Sequence, residues 1–168
     1  MKKFELTTEF ITNAAGKKLF RIKALVEFGD VKAGELGGYV EKEGNVSQDG
    51  NAWVYEDAAV YGDARVYEDA AVYGDAKVSG DARVSGDARV SGNADYACIK
   101  GFGTEFRHTT FYKTKENGIG VKCGCFNGSL EQFREQVKEK RTGKIVKEYL
   151  AIADLMEYHF ARGDSDDE

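Results

Sequence analysis

Between residues 54 and 95 the chain alternates small or aliphatic residues with polar ones in a repeat of six. Seven hexads follow one another: VYEDAA, VYGDAR, VYEDAA, VYGDAK, VSGDAR, VSGDAR and VSGNAD. In each hexad four residues alternate, so Ala and Val face one side of a short strand and polar or aromatic residues face the other. Gly-Asp or Glu-Asp then supplies turn chemistry. Each hexad therefore predicts one strand and one corner.

This alternation predicts the direction of particular side chains. The valines should point inward, and the glycines should stand at corners, because glycine accepts a positive φ without steric cost. The predicted inward positions are Val60, Val66, Val72, Val78 and Val84, and the predicted corners are Gly62, Gly74, Gly80 and Gly86.

Two architectures fit a chain of such hexads. An antiparallel meander would fold back at every Gly-Asp, but its strands would be unusually short and its faces hard to cover. A parallel β-helix stacks strands about 4.8 Å apart and fills its own interior. We therefore predict a mainly β protein built on a short parallel β-helix.

The hexads resemble the hexapeptide-repeat family, in which an aliphatic residue is followed by variable or small residues near a corner. The resemblance covers residues 42–95 and implies a left-handed β-helix of about three coils, with three hexads in each coil. It also implies that residues eighteen positions apart are stacked, so that Arg65 would lie on Arg83 and Tyr55 on Tyr73.

Tyrosines occupy the outward position of the early hexads, at Tyr55, Tyr61, Tyr67 and Tyr73. Two interpretations are open. The rings pack beneath a flanking segment of the same chain, where amphipathic rings suit a seam, or they form an oligomer or partner surface, where tyrosine is favoured. The second interpretation predicts a homo-oligomer, a trimer first and a dimer next.

Both flanks of the repeat have patterns of their own. Residues 1–41 predict an N-terminal β-hairpin cap with its loop at 13–16, covering the exposed end of the repeat. Residues 96–163 predict a hairpin around the Asn-Gly pair at 117–118 and then two helices. Ser129 and Gln132 match a capping box at the start of the first helix. The acidic residues 164–168 predict a disordered tail.

The whole arrangement also resembles a group of small uncharacterised phage and prophage proteins. The stretches DVKAGELGGYV and GCFNGSLEQF carry that resemblance most specifically. It implies a phage origin and this layout, but no activity.

Charge is unevenly distributed over the 168 residues, whose net charge is −5. Residues 42–95 hold eleven acids and five bases, whereas residues 96–163 hold twelve bases and eight acids. An acidic repeat argues against nucleic-acid binding. The absence of a long apolar run or signal peptide argues against a membrane partner, and three cysteines without an export signal favour the cytoplasm, for a phage protein that of the host.

Hexapeptide proteins are best known as acyltransferases, which use a histidine base on or beside a coil. Here the two histidines, His108 and His159, both lie beyond the repeat, so the coils offer no base of suitable pKa. A Cys123-x-Cys125 pair with Cys98 and His108 does not match a recognised zinc pattern. We therefore predict no catalytic residues, no metal and no cofactor.

Basic and aromatic residues gather in and around the predicted C-terminal hairpin. Such groups hold phosphates or nucleotides by charge and stacking, although a solvated strand face that balances the acidic repeat would look the same. The predicted ligand-binding residues are Arg107, His108, Tyr112, Lys113 and Lys122.

These observations predict a non-enzymatic, oligomeric, phage-type protein that acts by binding. An anionic small molecule or a host protein is the expected partner, so the chain would sequester a host signalling nucleotide or block a host defence protein. A degenerate acyltransferase and a structural or assembly component are the alternatives.

Overall fold

The structure of the protein, a computed structural model, describes residues 1–161, so the tail predicted at 164–168 lies outside the described residues. The N-terminal strands are β1 (Phe4–Thr12), β2 (Lys18–Ala24) and β3 (Leu36–Val40). The repeat contributes β4 (Trp53–Val54), β5 (Ala59–Val60), β6 (Arg65–Val66), β7 (Ala71–Val72), β8 (Lys77–Val78), β9 (Arg83–Val84) and β10 (Arg89–Val90). The C-terminal elements are β11 (Tyr96–Phe102), β12 (Arg107–Lys113), β13 (Ile119–Cys123), β14 (Phe126–Ser129), α1 (Leu130–Lys140) and α2 (Lys144–Phe160).

The strands are divided among four separate sheets. One is a mixed sheet in the order β1-β2-β3-β5-β8, two are the parallel sets β10-β7-β4 and β6-β9, and the fourth is the antiparallel set β11-β12-β13-β14. The protein is mainly β, as predicted, but the prediction of one short parallel β-helix with a separate cap and a C-terminal hairpin is wrong. The two-residue strands of the repeat pair only in short ladders. The N-terminal strands extend one of these ladders, and the C-terminal strands form an antiparallel sheet of their own.

Pairing within residues 42–95, the repeat region, follows an eighteen-residue offset. Arg65 is the partner of Arg83, and Ala71 is the partner of Arg89. The backbone bonds recur with this period, since the Tyr55 N–H donates to the Val72 carbonyl at 2.7 Å and, eighteen residues later, the Tyr73 N–H donates to the Val90 carbonyl at 2.9 Å. The inward direction predicted for the valines is confirmed, because each is fully buried (Val60, Val66, Val72, Val78 and Val84, all 0% exposed).

The corners of the repeat region hold a positive φ, as predicted for glycine. Gly62, Gly74, Gly80 and Gly86 have φ between 61° and 68°. Glu56 and Glu68 take the same conformation, at 55° and 60°, in the hexads that lack the glycine. Each glutamate carboxylate accepts a hydrogen bond from the glycine N–H of the hexad stacked on it, Glu56 from Gly74 at 2.7 Å and Glu68 from Gly86 at 2.6 Å. These bonds offset part of the cost of the left-handed backbone.

The N-terminal segment covers one end of the repeat region. The hairpin of β1 and β2 continues through β3, which pairs in parallel with β5. Trp53 is fully buried there, with edge-to-face contacts to the rings of Phe4 and Phe28. The ammonium of Lys3 is also buried and donates to the carbonyls of Ala52 at 2.8 Å and Gly50 at 3.2 Å.

The C-terminal sheet lies between the repeat region and the two helices. Alternation along β12 divides its contacts, because Tyr112 joins the core of the repeat region whereas Phe111 packs with Phe133 of α1. The capping box predicted at Ser129 and Gln132 is present at the start of α1. The predicted hairpin is only the centre of a larger element, since β11 and β14 flank it on both sides.

Candidate anion-binding groove

A groove of about 560 Å³ runs along the side of the repeat region formed by β6 and β9. We call it the cationic groove and define it by its polar lining, which is Glu43, Ser47, Gln48, Arg65, Tyr67, Arg83 and Lys122. A smaller hollow of about 400 Å³ adjoins the groove, and Arg83 and Lys122 line both of them. Asp81, Arg107 and His108 line that hollow.

The two arginines reach the groove because they occupy the outward position of stacked hexads. Arg65 and Arg83 are direct partners in a parallel pair, on strands that lie about 4.8 Å apart. The Arg83 guanidinium is held by backbone carbonyls, since its Nη1 donates to Asp63 at 2.7 Å and Asp81 at 3.2 Å. Like charges on directly paired residues destabilise a sheet, so an anion placed between the two guanidinium groups would relieve their repulsion.

The C-terminal sheet contributes the opposite wall of the groove. Lys122 of β13 pairs with Thr110 of β12, so both side chains lie on the same face of the sheet. Thr110 anchors that face to the repeat region, because its hydroxyl accepts a hydrogen bond from the Arg83 N–H at 2.9 Å. The two walls are therefore joined beside the groove.

The charge of the groove is mostly uncompensated. Within residues 1–161, Arg65, Arg83 and Lys122 have no carboxylate within 4.0 Å, whereas Glu43 at the groove edge is paired with Lys2 at 2.6 Å. Three positive groups therefore face one space on a chain that is acidic as a whole. A concave surface with an excess of positive charge concentrates the field and attracts anions.

The surroundings of His108 favour the neutral form of its imidazole. Burial, the largest cause, lowers the pKa of its imidazole, and Arg83 and Lys100 lower it further against the opposing effect of Asp81. Its Nδ1 atom is buried and has no hydrogen-bond partner among the described residues. Its lowered pKa therefore distinguishes this imidazole from the permanently charged groups beside it.

Two of the five predicted ligand-binding residues are directed elsewhere. The Lys113 ammonium is 3.2 Å from the Asp95 carboxylate. Tyr112 is buried between the sheet and the repeat region, where its hydroxyl donates to Asn127 at 3.1 Å and burial raises its pKa to about 12. Arg107 lines the hollow but is paired with Glu105. Arg107, His108 and Lys122 therefore come together at the hollow, and of these three only Lys122 also lines the cationic groove.

Sequence reasoning missed the contribution of the repeat region to this site. Arg65 and Arg83 stack as the resemblance implied, but no pattern in the sequence indicated that both would lack an ion pair with a carboxylate within residues 1–161. The signal that identifies them is the eighteen-residue offset combined with basic residues at both positions. Nothing in the hexads indicated that Lys122, thirty-nine positions after Arg83, would face the same space.

The four outward tyrosines lie on three different sides of the repeat region. Tyr55 and Tyr73 line one shallow groove of about 690 Å³. Tyr61 packs against Leu19 and Tyr39 of the N-terminal strands. Tyr67 lines the cationic groove. The intramolecular seam therefore accounts for Tyr61, and all four tyrosines remain partly exposed.

Residues 1–161 contain no group of three or more metal-ligating side chains arranged to hold an ion. All three cysteines are free thiols. No helix in the same range is long and apolar enough to cross a membrane.

No protein-family model matches the chain, and a search of curated proteins finds no match.

Proposed function

We propose that the protein acts by binding and holds a phosphate-bearing anion of the nucleotide class in the cationic groove. In a phage setting, such binding would sequester a host signalling nucleotide. The observation that carries the proposal is the convergence of Arg65, Arg83 and Lys122, without carboxylate partners among the described residues, on one groove.

The chemistry of the lining favours a phosphate attached to a planar group. Guanidinium groups bind phosphate oxygens in a bidentate manner, and an ammonium binds them as a point charge. The half-buried ring of Tyr67 and the planes of the two guanidinium groups offer surfaces on which a base can stack. The hydroxyl of Ser47 and the amide of Gln48 supply donors and acceptors for a sugar or base edge.

The repeat region supplies a matched control for the test. Arg83 and Arg89 stand in consecutive GDARVS-type hexads, and the Nη1 of each donates to a backbone carbonyl, Arg83 to Asp63 at 2.7 Å and Arg89 to Asp69 at 2.9 Å. Arg89, however, lies on the side of the repeat region with Tyr55 and Tyr73. Replacing either arginine by alanine removes the same charge and the same kind of contact.

Isothermal titration of the intact chain with AMP, inorganic phosphate and adenosine tests the proposal. We expect AMP to bind more tightly than phosphate, and adenosine to bind weakly. Arg83→Ala and Lys122→Ala should each weaken AMP binding about tenfold, because each removes a charge-assisted contact, whereas Arg89→Ala should leave it unchanged. Absence of AMP and phosphate binding at millimolar concentration, or equal losses for Arg83→Ala and Arg89→Ala, would exclude this groove as an anion site.

Acyl transfer is a second candidate because a neutral imidazole lies next to the groove. His108 lines the hollow together with Arg83 and Lys122, and a neutral histidine is the usual base in such transfers. The binding proposal expects no consumption of acetyl-coenzyme A and unchanged AMP affinity for His108→Gln. Thioester consumption that disappears in His108→Gln would favour the enzyme instead.

Association between copies remains a prediction of its own. Tyr55 and Tyr73 are the outward tyrosines that neither the N-terminal strands nor the cationic groove uses. Light scattering of the wild-type chain and of a Tyr55→Ser, Tyr73→Ser double variant measures whether they mediate an oligomer.

A further inference from the structure

A second hollow, which we call the aromatic pocket, lies in the C-terminal region between the β13–β14 turn and the two helices. Its volume is about 210 Å³, below the ~300–1,000 Å³ typical of sites for drug-sized molecules. Three rings form its apolar wall, since Phe133 packs against both Phe126 and Tyr149 at centroid distances of 5.7 Å. The size and the wall suit a single small aromatic ring.

The rim of the aromatic pocket is basic. Lys140 and Arg141, at the end of α1, line it together with Arg107, and no carboxylate does so among the described residues. Arg107 is paired with Glu105, but Lys140 and Arg141 form no ion pair within residues 1–161. The charge at the rim therefore favours an anionic group on whatever enters.

Tyr149 places a phenol beside the apolar wall of the pocket. The residue is only 5% exposed and lines the pocket. Burial, the largest cause, raises the pKa of its phenol. The hydroxyl therefore stays protonated at neutral pH and can donate a hydrogen bond to an acceptor on a ligand.

We propose that the aromatic pocket binds a small aromatic carboxylate. The ring of the ligand lies against Phe126 and Phe133, and its carboxylate accepts from the Tyr149 hydroxyl and from the basic rim at Arg141. This site is independent of the cationic groove, because it uses none of Arg65, Arg83 and Lys122.

Two thiols in the pocket allow its occupancy to be measured directly. Cys123 is half-buried and Cys125 is exposed, and both line the pocket, whereas Cys98 lies on β11 outside it. Iodoacetamide labelling of the folded chain, followed by mass spectrometry of the peptides, gives a rate for each thiol. Millimolar benzoate should slow the labelling of Cys123 several-fold and leave Cys98 unchanged, and neutral benzamide should protect less.

Variants test which groups hold the carboxylate. Tyr149→Phe keeps the ring and removes the hydroxyl, and Arg141→Ala removes an exposed charge, so both should fold, which their melting temperatures check. Each should weaken benzoate protection by about tenfold, as loss of a hydrogen bond to a charged group does. Lys138→Ala is the matched control, because Lys138 lies on the same helix end, does not line the pocket and pairs with Glu135.

The labelling rates decide between a ligand site and a structural hollow. Protection by benzoate that Lys138→Ala retains and that both other variants lose supports the proposal. Absence of protection at millimolar benzoate, equal protection by benzamide, or a parallel slowing of Cys98 would overturn it.

Discussion

The repeat region and the C-terminal region bury apolar side chains of different sizes. Valine and alanine fill the interior of the repeat region, where every inward Val is fully buried. The C-terminal region is centred on rings, with Phe133 in edge-to-face contact with Phe111 and Tyr149. A narrow interior made of one small unit is filled by repetition, whereas a sheet packed on helices needs a few large side chains of matching shape.

The same difference appears in how each region presents functional groups. In the repeat region, position within the hexad decides direction, so Arg65 and Arg83 point outward from equivalent positions. In the C-terminal region, the groups that surround a side chain decide where it points, since Lys113 is directed to Asp95 and Lys122 to the cationic groove. A repetitive surface therefore offers charges at regular spacing, and the irregular region selects which of them face a shared space.

The largest effect that would test this comparison is expected for Val72→Asp. The substitution places an unpaired carboxylate in an interior of aliphatic groups and should cost on the order of 5 kcal/mol or more. We expect loss of the cooperative thermal transition measured by circular dichroism. Lys77→Asp, at an exposed outward position of β8, is the control and should melt near the wild type. A soluble Val72→Asp variant with a cooperative transition would contradict the assignment of the interior.

A smaller effect, confined to one region, is expected for Phe133→Ala. Removing this ring from the aromatic core should cost about 3–5 kcal/mol. Hydrogen exchange measured by mass spectrometry should show lost protection in the C-terminal sheet and helices, with protection retained in the repeat region. Phe106→Ala, at a side chain that is 62% exposed, serves as the control. Equal loss of protection in both regions would mean that they unfold as one unit.

The smallest expected effect concerns the buried ammonium at the N-terminal end of the repeat region. Burial lowers the pKa of Lys3 from 10.5 to about 8, against the opposing effect of Asp49. Between those two values the unfolded chain binds more protons, so the free energy of unfolding should rise with pH, by at most about 1.4 kcal/mol per pH unit.

Replacement of this lysine separates its contribution from other titrating groups. Denaturant unfolding between pH 7.5 and pH 9.5 should show a steeper rise for the wild type than for Lys3→Met, because the variant has no ammonium to deprotonate. That window lies below the range in which Tyr112, whose pKa is raised to about 12, would titrate. Parallel pH profiles for the two proteins would show that Lys3 is not desolvated in the folded state.

Much of the local structure could be predicted from the sequence because it depends on neighbouring residues. The corner conformation at Gly62 and Gly74 follows from Gly-Asp turn chemistry, and the start of α1 follows from the pairing of Ser129 with Gln132. The inward direction of Val72 follows from alternation over a few residues. None of these features depends on how distant segments pack.

Sheet membership could not be predicted in the same way. β3 pairs with β2 on one side and with β5 of the repeat region on the other, and β11 and β14 complete a sheet of which the sequence indicated only the central hairpin. An unpaired strand edge accepts any strand of suitable length that the chain brings to it. Such pairing joins segments that are far apart in the sequence, and these segments carry no repeat from which the pairing could be predicted.

The candidate site divides along the same line. By itself the sequence determined the repeating unit, the outward direction of Arg65 and Arg83, and the basic character of the C-terminal region. Only the tertiary structure decided that Lys122 would face those arginines. It also decided that Lys113 would form an ion pair with Asp95 and that Tyr112 would be buried. The physical reason is range: turn chemistry and alternation act over a few residues, whereas the compensation of a charge depends on every group within a few ångströms, wherever it lies in the chain.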